Sequence, residues 1–208
     1  MIASGTAGSW DFHRIPACVL KVDDTLKMWY KGSTDNWYAN GSVGYAWSLD
    51  GINWTLLENP VLEKGDQGNW DDGMVFNPTV YFDGGTYHMW YAGWGGVSWN
   101  YNGMGYATSV NGILWNKVED ENPVFTGASG TFYSHDVIPS SVLYDGEYKL
   151  WFTGNGEGSY DTVTQRIGYA TSADGITWNV QNNSQPILDV GDPGDWDFRK
   201  VRYPSVLI

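Results

Sequence analysis

The feature that most constrains this chain is a repeat. Gly-Tyr-Ala begins at Gly44, Gly105 and Gly168, a Ser-x-(Asp/Asn)-Gly-Ile-x-Trp element begins at Ser48, Ser109 and Ser172, and a Met/Leu-Trp-Tyr/Phe run begins at Met28, Met89 and Leu150, so that every interval is 61 or 63 residues. Proline recurs at Pro16, Pro78, Pro139 and Pro204, and Asn-Pro-Val or Gln-Pro-Ile begins at Asn59, Asn122 and Gln185. Within the unit at 77–115, short runs of β-branched and aromatic residues alternate with Gly, Asp and Asn turn signals, the pattern of an antiparallel meander of four strands. A fixed period of roughly 40 to 60 residues with four strands in each unit specifies a β-propeller, whose blades bury their faces on one another around an axis. The expected class is therefore all-β, in a single propeller domain spanning 1–208. Its blades fall at about 10–57, 70–117 and 132–180, and the inner strand of a fourth lies at 196–208. In the first blade the strands are expected at 15–22, 26–32, 43–48 and 52–56.

Composition excludes several function classes. A hydrophobic content of 42% supports a core, and no apolar run approaches the ~18 residues of a membrane span. A net charge of -13 with only 11 basic residues repels a phosphate backbone, so neither nucleic acid nor membrane is an expected partner. The one cysteine, Cys18, falls on an inner strand and reads as a small core residue. No His/Cys cluster has zinc spacing, and no cofactor is expected. Residues 1–9 are small and polar and carry no signal-peptide pattern, which leaves localisation open.

Connectivity tells which end of the propeller carries function. In an up-and-down blade the A-to-B and C-to-D turns share one end, and the B-to-C loops share the other with the crossovers between blades. The first set is short and stereotyped: Asp23-Asp24, Asp83-Gly84-Gly85 and Asp145-Gly146, then Asp50-Gly51, Asn111-Gly112 and Asp174-Gly175. The B-to-C loops at 33–40, 94–102 and 155–161 differ in every blade, and variation on a repeated scaffold is where sites are built. Of the 13 tryptophans, nine occupy repeat positions, whereas Trp37, Trp94 and Trp99 lie in these loops, where flat rings can stack on sugars.

The crossovers supply polar groups just before each inner strand. A Trp-Asp pair recurs at Trp10-Asp11, Trp70-Asp71 and Trp196-Asp197 and reads as a structural turn. Asp72, His135 and Asp136 break the repeat and stand out as site candidates. Glycosidic cleavage by water needs two carboxylates, one to protonate the leaving oxygen and one to activate water or attack. The catalytic candidates are Asp72 and Asp136, with Glu157 in the third B-to-C loop as a further acid. The substrate-binding candidates are His13, Arg14, Asn77, Trp94, Trp99, Tyr101, His135 and Arg199.

The run Pro-x-Val-x-x-Asp-Gly-x-Tyr-x-Met-Trp-Tyr, followed by Gly-Tyr-Ala-x-Ser-x-Asp-Gly-x-x-Trp, resembles the five-bladed propellers of the arabinanase, levansucrase and invertase group of glycoside hydrolases, including mannoside phosphorylases. The Ser-Leu-Asp-Gly-Ile-Asn-Trp element is also similar to the sialidase Asp-box, which is structural. The resemblance covers essentially the whole chain. It implies a carbohydrate partner, an extracellular or periplasmic setting, and a glycoside hydrolase-like protein acting on or binding an oligo- or polysaccharide at the tunnel mouth. The alternative is a noncatalytic carbohydrate-binding or assembly propeller. In that group an aspartate often precedes the strand-A proline, whereas here those positions hold Ile15, Asn77, Ile138 and Tyr203. Five blades of roughly 62 residues need about 310 residues. The 208-residue sequence is therefore expected either to continue in the natural gene or to complete its ring as a homo-oligomer.

Overall fold

The computed structural model describes residues 2–34, 40–95, 101–118, 122–156 and 163–207, without the side chain of Tyr101. Among the described residues thirteen strands form three antiparallel sheets. The first blade runs in the order β1 (His13–Val22), β2 (Thr25–Ser33), β3 (Ser42–Ser48) and β4 (Thr55–Leu56). The second comprises β5 (Met74–Phe82), β6 (Tyr87–Gly95), β7 (Tyr101–Ser109) and β8 (Asn116–Lys117), with β9 (Phe125–Thr126) added on β7. The third comprises β10 (Asp136–Tyr144), β11 (Tyr148–Asn155), β12 (Gln165–Ser172) and β13 (Asn179–Val180). Among the described residues the one helical segment is a 3-10 turn at Asn182–Ser184, and no helix is long and apolar enough to cross a membrane.

Each repeated motif has a packing or hydrogen-bonding cause. Gly44, Gly105 and Gly168 lie against the rings of Tyr30, Tyr91 and Phe152, and a Cβ at any of them would overlap the ring. The inner strands shift register between Pro16 and Cys18, between Phe76 and Thr79, and between Pro139 and Ser141. Proline has no N–H for the ladder, so each inner strand carries a bulge at its proline. The Pro-Val/Ile element pairs with strand C in every blade: Val61, Val124 and Ile187 donate to the carbonyls of Val43, Met104 and Ile167 at 2.7, 2.9 and 2.8 Å.

The Asp-Gly turns also join one blade to the next. Ser48, Ser109 and Ser172 accept the amides of Gly51, Gly112 and Gly175 at 2.9, 2.9 and 2.8 Å, and these glycines adopt φ of 73°, 77° and 77°. The indole N–H groups of Trp54, Trp115 and Trp178 donate to the carbonyls of the same glycines. The buried indole of Trp29 in the first blade donates to Gly112 O in the second at 2.9 Å, and Trp90 in the second donates to Gly175 O in the third at 2.7 Å. Around these contacts one core cluster joins Trp29, Val43 and Tyr45 to Val80, Met89 and Tyr91 across the first junction, and another joins Trp90 and Met104 to Val142, Leu150 and Phe152 across the second. Cys18 packs partly buried against the first cluster, as a small core residue would.

Two expectations need correction. Strand D, expected from Ile52, is confined to Thr55–Leu56, because the amides of Ile52 and Asn53 are already spent on Asp50 Oδ1 at 2.8 and 2.7 Å. Residues 201–207 form no strand ladder: a parallel bridge joins Gln165 to Lys200, and Tyr203 N donates to Thr153 Oγ1 at 2.9 Å. An inner strand takes its ladder from the strand B that follows it, as β1 does from β2, and no described strand B follows residue 207.

Candidate functional site

Pro16, Pro78 and Pro139 of the inner strands and Pro204 of the segment after the fourth crossover all line one cleft of about 750 Å³. The cleft therefore opens at the end of the axis that carries the B-to-C loops and crossovers. Asp136 is a lining carboxylate, held on both oxygens: Oδ1 lies 3.0 Å from His135 Nδ1, and Oδ2 accepts from Asn155 Nδ2 at 2.6 Å. Asn155 Oδ1 accepts from Gln165 Nε2 at 3.0 Å, and Gln165 Oε1 accepts from Arg202 Nη1 at 3.3 Å. His135 Nδ1 also lies 3.2 Å from Asn102 Nδ2. Lys31 and Arg202 bring two cations to the same lining, and Trp94 and Phe76 bring aromatic rings.

Two of the seven non-glycine residues at positive φ among the described residues lie at this cleft. Asn77 and Tyr203 adopt φ of 47° and 57°, although each precedes a proline and neither is glycine. A non-glycine residue in that region costs about 1–3 kcal/mol, and such residues gather at functional sites. Both line the cleft.

The sequence candidates separate clearly by position. Asp136, Asn77 and Trp94 line the cleft, and His135 touches Asp136. Asp72 does not line it: its Oδ2 accepts from Gly68 N at 2.7 Å, so the carboxylate closes its own crossover turn. Arg14 is turned to Asp11 Oδ2 at 2.8 Å and to Ala3 O at 3.0 Å. His13 packs edge-on against Phe12, with ring centres 4.8 Å apart. The Arg199 guanidinium lies over Phe198, 5.1 Å from the ring centre. None of these three lines the cleft. Tyr101 starts β7 opposite Gly95. Glu157 and Trp99, like the side chain of Tyr101, lie outside the described residues.

Two of the three Trp-Asp aspartates, Asp11 and Asp71, are structural. Asp11 accepts from Ser9, Arg14 and Tyr30; burial pushes its carboxyl up, but these donors together outweigh burial and hold it below the ordinary value. Asp71 pairs with Lys117 Nζ at 2.6 Å and Tyr91 OH at 3.5 Å. In the third blade both partners change together: Tyr133 and Phe152 pack edge to face, and no carboxylate is buried there among the described residues.

Sequence reasoning passed over Lys31, Asn102, Asn155, Gln165 and Arg202. One signal was available. Asn155 stands opposite Gln165 in the third blade and Trp94 opposite Asn102 in the second, so both pairs fall at one ladder position where the repeat is broken. Among the described residues no group of three or more His, Cys, Asp or Glu side chains could hold a metal ion.

A family model described as beta-1,4-mannooligosaccharide phosphorylase, Glyco_hydro_130, matches residues 16–190. The chain belongs to the glycoside hydrolase 130 family. An uncharacterized protein of Mycobacterium tuberculosis (strain CDC 1551 / Oshkosh) is 31% identical over 199 residues, covering 90% of this chain and 60% of the relative. A 1,2-beta-oligomannan phosphorylase of Thermoanaerobacter sp. (strain X514) is 27% identical over 165 residues, covering 74% and 54%. The chain thus spans 60% or less of the length of these curated relatives. A family 117 glycoside hydrolase of the marine bacterium Zobellia galactanivorans superposes with a TM-score of 0.71 at 14% identity, covering 92% of this chain and 61% of that one, which is a likeness of fold. The resemblance to propeller glycosidases and mannoside phosphorylases read from the sequence is borne out.

Proposed function

We propose that the protein to which this chain belongs cleaves a β-mannoside by phosphorolysis, with Asp136 as the acid. One observation carries this reading: among the described residues lining the cleft there is a single carboxylate, Asp136, beside two cations, Lys31 and Arg202. Hydrolysis needs a second carboxylate to activate water or to attack. Inorganic phosphate is already an anionic nucleophile, so the same cleavage needs one acid and positive charge to hold the phosphate. The bond from C1 to the glycosidic oxygen breaks, a phosphate oxygen bonds to C1, and the Asp136 proton passes to the leaving oxygen. The products are mannose 1-phosphate and a saccharide one unit shorter. Trp94 offers a ring face to the sugar, and Asn77 an amide. The family description and the name of the Thermoanaerobacter relative point to the same reaction class.

The test is turnover of β-1,2- and β-1,4-mannobiose by the purified full-length protein, with and without inorganic phosphate. Mannose 1-phosphate is expected only when phosphate is present. Asp136→Asn should lower kcat about 10²- to 10⁴-fold, whereas Asp72→Asn should change it far less. Release of free mannose alone, at one rate with or without phosphate, would mean hydrolysis and restore Glu157 as the second carboxylate. Binding of mannooligosaccharide without turnover would return the protein to the noncatalytic class.

A further inference from the structure

Two amides join one cation of the cleft lining, Arg202, to its carboxylate, Asp136, and the direction of every hydrogen bond in the chain is fixed. A guanidinium donates and never accepts. Arg202 Nη1 therefore requires Gln165 to turn Oε1 towards it, at 3.3 Å, which aims Gln165 Nε2 at Asn155 Oδ1, at 3.0 Å. That in turn aims Asn155 Nδ2 at Asp136 Oδ2, at 2.6 Å. Gln165 and Asn155 are 4% and 8% exposed, so the chain runs through an interior where aligned hydrogen bonds polarise one another. The backbone of Gln165 is also tied twice to the segment that carries Arg202: its N–H donates to Arg199 O at 3.0 Å, and its carbonyl accepts from Val201 N at 2.9 Å. At the same ladder position in the second blade, Asn102 turns its amide to His135.

We infer that Gln165 is a positioning residue, which through Asn155 commits Asp136 Oδ2 as an acceptor and thereby places the acid proton on Oδ1. This rests on the reading of Asp136 as the acid. Protonating Oδ2 would turn it into a hydroxyl oxygen, a poorer acceptor, and weaken the 2.6 Å bond it receives from Asn155, so the protonated form carries its proton on Oδ1, the oxygen facing His135. The same chain makes the acid responsive to Arg202. An anion that draws the guanidinium outward weakens the first link, and the loss is passed through Gln165 and Asn155 to the carboxylate. Gln165 touches no reacting atom in this scheme; its role is to keep the proton on the oxygen that delivers it.

The test compares leaving groups. A glycosidic oxygen must be protonated to leave, whereas 2,4-dinitrophenolate leaves without a proton. Gln165→Leu and Gln165→Glu, neither of which can donate to Asn155, should lower kcat on β-mannobiose about ten- to a hundredfold with KM close to wild type. On 2,4-dinitrophenyl β-mannoside both variants should stay close to wild type. Equal losses on the two substrates, or no loss on mannobiose, would overturn the assignment. A second measurement uses the protein without substrate: the Asn155 side-chain amide resonance should move on Arg202→Met, a residue Asn155 does not bond, and that movement should vanish in a Gln165→Leu background. Should the wild type turn over neither mannoside, the phosphorolysis reading falls, and the amide measurement alone decides whether the chain exists. An Asn155 resonance indifferent to Arg202 would refute it.

Discussion

Asp50, Asn111 and Asp174 occupy one position in three copies of the same turn, and the neutral copy shows what charge adds. Asn111 Oδ1 accepts the amides of Ile113 and Leu114 at 2.9 Å each, and Asp174 Oδ1 accepts those of Ile176 and Thr177 at 2.8 and 2.7 Å. The turn therefore forms without a carboxylate, while the backbone donors of Thr177 and Ile176 hold the Asp174 carboxyl down at about 2, against an ordinary 3.8. A group depressed on folding contributes stability above its unfolded value and loses it as pH falls through its folded value. For Asp174 that window runs from about pH 4 down to about pH 2. We expect Asp174→Asn to fold normally and to show a shallower fall of Tm between pH 4 and pH 2 than wild type. Parallel acid profiles for the two proteins would show that this carboxylate takes no part in acid unfolding.

At the scale of the element, the junction between blades rests on strand-B tryptophans whose ring nitrogens reach the following turn. Trp90→Phe removes the 2.7 Å bond to Gly175 O and leaves space beside Tyr106 and Tyr148. Its expected cost is about 1–3 kcal/mol in urea denaturation. Trp151, at the same position in the third blade, is only partly buried, and Trp151→Phe should cost less. The fold was legible because such junction residues recur with the repeat; the first strands B and C match their expected bounds to within one residue. Strand D was overextended because an Asx turn uses amides that look available to a ladder. At the cleft, Asn77, His135 and Asp136 were singled out because the repeat breaks there close to a proline, and Trp94 because its ring lies in a B-to-C loop. Asn155, Gln165 and Arg202 were not, because their meeting depends on strands B and C and on a crossover segment far along the chain. Asp72 looked equally unusual in the sequence, but its own turn captures the carboxylate.

At the scale of the whole molecule, one aromatic position measures how completely each blade is covered. Trp10, Trp70 and Phe132 stack on Tyr30, Tyr91 and Phe152 with ring centres 6.2, 5.9 and 5.9 Å apart, and their rings lie against Gly32, Gly93 and Gly154. A Cβ at any of those glycines would collide with the ring, so each pair is a close fit of ring on backbone. Trp196 opens the corresponding Trp-Asp pair in the fourth crossover and is 93% exposed. Burial, and not the motif, decides what such a tryptophan contributes, because the gain is proportional to the apolar area withdrawn from water. Trp70→Ala should therefore destabilise this 208-residue chain by about 3–5 kcal/mol, the usual range for truncating a packed tryptophan, while Trp196→Ala should leave its unfolding midpoint unchanged. Iodide provides an independent check on the intact chain: part of the tryptophan emission should be readily quenched, and Trp196→Ala should reduce that fraction. If Trp196→Ala instead lowers the midpoint as far as Trp70→Ala, Trp196 is packed in solution, and its exposed position is not the one the chain adopts there.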